Sequence, residues 1–206
     1  MSTSITQQPS AHRDYERGKL GMWLFLFTEI LLFGGLFILY SAYRARYPLE
    51  FHDAGQHLNV FIGVANTIIL LTSSLTVAMA ITAVQKGDRR ISTSCLAVTI
   101  MLGIAFLVNK YIEWSGEIHR GFYPNSPELL QHPQGDQIFF GLYYSMTGLH
   151  GLHVLAGVIL LSIMLVLVIK EKITSANFNV LENAGLYWHL VDVIWIFLLP
   201  LFYLAA

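Results

Sequence analysis

The sequence predicts an all-α, polytopic membrane protein folded as a bundle of five transmembrane helices. Three observations carry this. Of its 206 residues, 55% are hydrophobic and only 12% are charged, against about 45–50% and about 25% in soluble domains, and the mean hydropathy is +0.57. Five long apolar runs cover residues 20–40, 60–84, 91–109, 138–169 and 184–206, each near the ~20 residues that cross a bilayer. Of the 12 Lys and Arg and 13 Asp and Glu residues, only Glu29 and Asp192 lie inside these runs. That segregation disfavours a soluble enzyme or a disordered chain. Strand alternation at ~10-residue spacing, the mark of a membrane β-barrel, is absent. A net charge of −1 offers no basic face for nucleic acid. The one cysteine, Cys95, lies in an apolar run and reads as a small buried hydrophobe.

The elements follow in order. Residues 1–19 form a polar N-terminal segment with Arg13, Asp14, Glu16, Arg17 and Lys19. It lacks the apolar h-region of a signal peptide, so the first span is expected to act as its own insertion signal. A five-helix domain over 20–206 is expected to place helices at about 20–42, 60–84, 91–114, 138–169 and 184–206. Tyr40, Tyr43 and Tyr47 end the first helix and Trp114 the third, suiting the headgroup zone. The short link 85–90 makes the second and third helices antiparallel neighbours. The connection 110–137 contains Pro124, Pro127 and Pro133, which prevent a continuous helix. With the N-terminus inside, the inner segments carry Arg13, Arg17, Lys19, Lys86, Arg89, Arg90, Lys170 and Lys172. The outer segments carry Arg44, Arg46, Lys110 and Arg120. The positive-inside rule therefore favours a cytoplasmic N-terminus and an external C-terminus.

Ionisable side chains within a span cost about 2.5–3.5 kcal/mol even on the lenient insertion scale, so each needs a reason. Glu29 lies about 9 positions into the first run, roughly 13 Å deep at ~1.5 Å per residue. Burial at that depth disfavours its charged form. It reads either as a neutral carboxyl hydrogen-bonded between helices or as a proton-exchanging group at a subunit contact. His150 and His153 share one broad helix face, as do His189 and Asp192. Spacing alone permits a four-ligand His/His/His/Asp metal cluster. The competing reading is a hydrogen-bonded polar seam between the fourth and fifth helices, and the glycines near the histidines, Gly148, Gly151 and Gly157, favour close packing. Lys110 and Glu113, next to Trp114, are expected as an exposed i,i+3 pair at the outer helix end, worth a few tenths of a kcal/mol.

The motifs add a resemblance. Thr28–Gly34 (TEILLFG), the turn Lys86-Gly87-Asp88-Arg89, and Lys110-x-x-Glu113-Trp114 come first. Tyr143–Val154 (YYSMTGLHGLHV) and Glu182–Trp195 (ENAGLYWHLVDVIW) follow. In order and spacing over about residues 15–206, this set resembles the haem-copper oxidase subunit III family. The resemblance implies an accessory subunit with no haem, copper or other metal of its own. It packs against the catalytic subunit I, beside a copper-binding subunit II, and supports proton uptake, assembly and durability of the active site. The haem and copper would reside in those partners.

The resemblance also implies a bacterial plasma-membrane location, contact with membrane lipid and phospholipid as a bound ligand. The family's carbodiimide-reactive membrane carboxylate maps onto Glu29. His150, His153, Glu182, His189 and Asp192 map onto motif positions with a packing role. The chain departs from the longer form in having five helices rather than seven and an enlarged loop, 115–137. The lost first two helices wall the family's lipid cleft. The expected function is that of a cytochrome c oxidase, with a quinol oxidase or a nitric oxide reductase complex as alternatives. A stand-alone proton-coupled transporter using Glu29 and the seam is the competing class.

Overall fold

The computed structural model describes residues 8–175 and 177–204, with side chains from Gly18 onward. Residues 1–7 of the expected polar segment and 205–206 of the last expected helix lie outside the described residues. The elements are α1 (Gln8–Arg46), α2 (Pro48–Gly55), α3 (Val60–Gln85), α4 (Arg89–His119), a 3-10 turn (Leu129–Gln131), α5 (Gln134–Ile169) and α6 (Asn179–Leu199), which runs on as a π-helical segment (Pro200–Leu204). Among the described residues five helices are long and apolar enough to cross a membrane. The fold class is therefore the one the composition predicts.

The helix ends have local causes. The Asn59 side chain accepts from the backbone N–H groups of Phe61 and Ile62, at 3.0 and 3.4 Å, and so caps α3. Asp88 does the same for α4 through Ile91 N–H at 3.1 Å. Between them α3 closes in a Schellman motif: Asp88 N–H bonds the Ala83 carbonyl at 2.9 Å and Gly87 N–H bonds that of Val84 at 3.0 Å. The motif needs a left-handed residue, and Gly87 supplies it at φ 79°. The short link thus becomes a fixed turn, and α3 and α4 share the most extensive helix contact in the bundle.

The structure adds elements that the hydropathy pattern does not reveal. The link after α1 contains α2, which starts on Pro48, a residue suited to the first helical position. Its Phe51 and Ala54 pack into the core beside α5. α4 runs on past Trp114 to His119, so the connection expected from Lys110 begins later. The cause is a continuous buried stripe at three- and four-residue spacing: Ser92, Leu96, Thr99, Gly103, Phe106, Lys110, Glu113 and Glu117. The stripe stays inward-facing after its chemistry turns from apolar to charged. α5, with 36 residues, is ~54 Å long and exceeds the ~30 Å hydrocarbon core. Its first turns are covered by α2 and the 3-10 turn.

α3, α4, α5 and α6 close into a ring, each touching the next and α6 returning to α3. α1 lies outside this ring against α5 and α6, with Trp23, Leu24, Phe27, Ile30 and Leu31 facing outward. The ring is organised around Trp188, which is fully buried. Its indole N–H donates to the Ser73 hydroxyl on α3 at 3.0 Å. Its ring lies against Gly103 of α4 and Gly157 of α5, where an added Cβ would come within 2.8 and 2.7 Å of ring atoms. Overpacking a filled core costs about 1–3 kcal/mol. Gly157→Ala should therefore lower the thermal unfolding midpoint of the solubilised protein by several degrees. Gly151→Ala, at a position with open space beside it, should leave the midpoint unchanged.

Candidate functional site

Among the described residues polar contacts tie α1 to the ring at three depths. Lys19 Nζ lies 3.3 Å from Glu182 Oε1 at one end. The Tyr40 hydroxyl donates to the Leu201 carbonyl near the other. Midway, Glu29 Oε2 lies 2.9 Å from His153 Nε2 on α5, both side chains mostly buried. The remaining contacts of His153 constrain its protonation. Its Nδ1 lies 2.8 Å from the Leu149 carbonyl, which can only accept, so Nδ1 carries a proton. Nε2 of a neutral ring is then an acceptor. The contact with Glu29 accordingly holds one proton, on Glu29 as neutral acid with neutral imidazole, or on Nε2 as carboxylate with imidazolium. Phe33 meets the imidazole edge-on at 5.4 Å, and the Tyr187 hydroxyl donates to the His153 carbonyl at 3.1 Å.

His150 takes another direction. Three residues turn a helix by about 300°, which leaves the two side chains about 60° apart. That offset sends His153 toward α1 and His150 into the ring. His150 is fully buried, stacked on Trp195 at 5.2 Å and edge-on to Phe106 at 5.5 Å. Among the described residues neither of its ring nitrogens has a hydrogen-bond partner. On α6, His189 Nδ1 meets the Ser74 hydroxyl of α3 at 2.6 Å. Asp192 is buried with Ser74 beside it, and among the described residues neither carboxylate oxygen makes a well-formed hydrogen bond. Glu182 sits at the helix end with Lys19.

The histidine–aspartate cluster that spacing permits therefore does not form: His153 faces α1, His150 the aromatic core, and His189 with Asp192 faces α3. Among the described residues no group of three His, Cys, Asp or Glu side chains stands close enough to hold a metal ion. Among the described residues these groups also form no continuous seam between α5 and α6. The polar groups are distributed to three different partners.

Lys110 and Glu113 require a correction. Instead of an exposed pair at a helix end they are buried, at 8% and 2% side-chain exposure. Lys110 Nζ donates to Glu113 Oε2 at 3.1 Å, to the Tyr143 hydroxyl at 3.1 Å and to the Tyr203 hydroxyl at 2.9 Å. Both hydroxyls in turn donate to Glu113 Oε1, Tyr143 at 2.7 Å. The ammonium has three donors, and all three are used. It also lies 5.4 Å from the centroid of Trp195, within cation–π range. The network joins α4, α5 and the end of α6. Trp114 packs on Tyr144 at 5.1 Å, alongside Gly148.

Residues 11–206 match the family described as cytochrome c oxidase subunit III. The chain belongs to that family. A cytochrome c oxidase subunit 3 of Thermostichus vulcanus is 31% identical over 201 residues, covering 95% of this chain and 91% of the relative. A cytochrome bo(3) ubiquinol oxidase subunit 3 of Pseudomonas putida is 32% identical, covering 95% of this chain and 89% of the relative. A haem-copper oxidase subunit I+III of Aeropyrum pernix is 28% identical over 94% of this chain and 24% of its own length.

Within this subunit III chain, sequence reading missed Tyr143, Tyr203, Trp195 and Ser74 as partners of the ionisable groups. A signal was present: these are side chains with one polar tip inside apolar runs, and such tips seek partners when buried. Removing one partner of a buried ion pair costs about 3–5 kcal/mol, whereas replacing both by apolar groups is often neutral. Lys110→Met or Glu113→Leu alone should sharply lower the unfolding midpoint. The double variant should regain most of that loss, which a thermal melt of the three purified proteins would reveal.

Proposed function

We propose that this chain is the accessory, cofactor-free subunit III of a haem-copper terminal oxidase that oxidises cytochrome c, reduces O2 and translocates protons. Its role is to support proton uptake, assembly and stability of subunit I. The observation that carries this reading is family membership over nearly the whole chain. A relative named as subunit I+III, one polypeptide of which this chain matches 24%, supports direct contact with subunit I. A copper-binding subunit II completes the set of partners, with haem and copper held outside this chain. The excess of Lys and Arg on inner segments supports a cytoplasmic N-terminus and an external C-terminus, and the similarity to the Thermostichus and Pseudomonas subunits supports placement in a bacterial plasma membrane. A second reading, a quinol oxidase, is supported by the bo(3) relative at 32% identity.

Mass spectrometry of the complex solubilised from its native membrane tests both. A haem-bearing subunit I and a partner with a two-cysteine copper site are expected. Subunit I with a subunit II lacking those cysteines would select the quinol reading. A chain that purifies as a complete unit without any haem protein would refute both.

Glu29 is the membrane-embedded carboxylate of this reading. Its contact with His153 Nε2 at 2.9 Å can be made by a protonated carboxyl at mid-membrane depth. A hydrophobic carbodiimide reacts with that form, and Glu29 should be its preferred site in the chain. Glu29→Gln keeps a hydrogen bond to His153 while removing the proton exchange. It should leave O2 reduction intact and reduce proton-uptake rate or turnover lifetime modestly. Full loss of pumping in an assembled Glu29→Gln complex would place Glu29 on the proton path and end the accessory reading.

A further inference from the structure

The turn joining α3 to α4 carries charge that the bundle uses only in part. Lys86, Gly87, Asp88, Arg89 and Arg90 are all exposed. Arg89 is paired with Glu171 on the α5–α6 connection, and Asp88 caps α4. Among the described residues neither Lys86 nor Arg90 has an ion-pair partner. Both line an open cavity of about 940 Å³ with Thr93 and Ser94 of α4 and Ile169 at the end of α5. Lys170 is exposed at the next position.

A second cavity, of about 530 Å³, shares Lys86 and Asp88 and is walled by Ala78, Met79, Thr82, Ala83 and Ile91. α3 and α4 both cross the membrane, so the charged mouth lies at headgroup level and the apolar groove at acyl-chain level. Unpaired cations at that level attract anionic lipid. A free anion would use the mouth and leave the groove unused.

We infer that this end of the bundle binds one anionic phospholipid, its phosphate between Lys86 and Arg90 and one acyl chain along Ala78, Met79 and Ile91. In the orientation proposed above it belongs to the cytoplasmic leaflet. The site does not depend on which oxidase the chain serves.

The test is native mass spectrometry of the protein as solubilised from its membrane, titrated with dioleoylphosphatidylglycerol and read on the chain released in the gas phase. A saturable one-to-one adduct is expected. Lys86→Gln/Arg90→Gln should weaken it at least tenfold. Thr82→Trp, which fills the groove and leaves the charges in place, should weaken it comparably. Dioleoylphosphatidylcholine should bind at least tenfold more weakly, and glycerol 3-phosphate should not compete. Unchanged binding in either variant, or equal binding of phosphatidylcholine, overturns the inference. So does competition by glycerol 3-phosphate, which would mean an anion site without an acyl groove. An unchanged melting midpoint in both variants separates loss of the site from loss of the fold.

Discussion

A protein interior supplies no water to solvate a charge, and the Lys110–Glu113 pair, buried beyond the apolar run of α4, answers that constraint with a closed set of protein partners. Taking two ions out of water costs several kcal/mol each, repaid only if every remaining donor and lone pair finds a group. Three helices are needed to supply them: the ions come from α4, one hydroxyl from Tyr143 on α5 and the other from Tyr203 beyond α6. Much of the architecture at that end follows. α4 must continue past the apolar run to carry the pair, α5 must begin early enough to bring Tyr143 alongside, and the chain after Pro200 must turn Tyr203 inward.

The remaining polar contacts divide the molecule into a ring and an outrigger. Within the ring, Trp188 with Ser73, Trp195 with Thr67, Asn109 with Asn66 and Thr76 with Thr99 join neighbouring helices by single hydrogen bonds. Such bonds average about 0.6 kcal/mol in membrane bundles, so close packing against Gly103 and Gly157 carries most of the cohesion. α1 has little of that packing and relies on Lys19, Glu29 and Tyr40. Of these, Glu29 alone sits at mid-depth, where a lost partner is least easily replaced by water.

The five-helix class is legible in the sequence because it rests on segregation of charge, which survives any detail of packing. The buried state of Lys110 is not, because an i,i+3 Lys–Glu pair reads the same on a solvated helix end as in a core. What distinguishes the two is the unbroken inward stripe from Ser92 to Glu117, visible only when a polar residue is allowed to continue an apolar face. Spacing located His150 and His153 on one helix face but could not assign partners, since a 60° offset separates an aromatic stack from a contact with α1. α2 escaped because its eight residues are too few for a hydropathy window. Its buried Phe51 is fixed by long-range contacts with Tyr40 and Phe139.

The π-helical segment from Pro200 to Leu204 has a consequence for how this chain tolerates insertions and deletions. Pro200 has no N–H to give the Ile196 carbonyl, and the wider winding that follows takes up slack before Tyr203. Removing one residue between Pro200 and Tyr203 would rotate that hydroxyl by roughly 100°. A buried ammonium would then lose one of its three acceptors. The length of this segment, rather than the identity of its apolar residues, sets that register, because a substitution changes a contact whereas a frame slip changes the phase of everything after it.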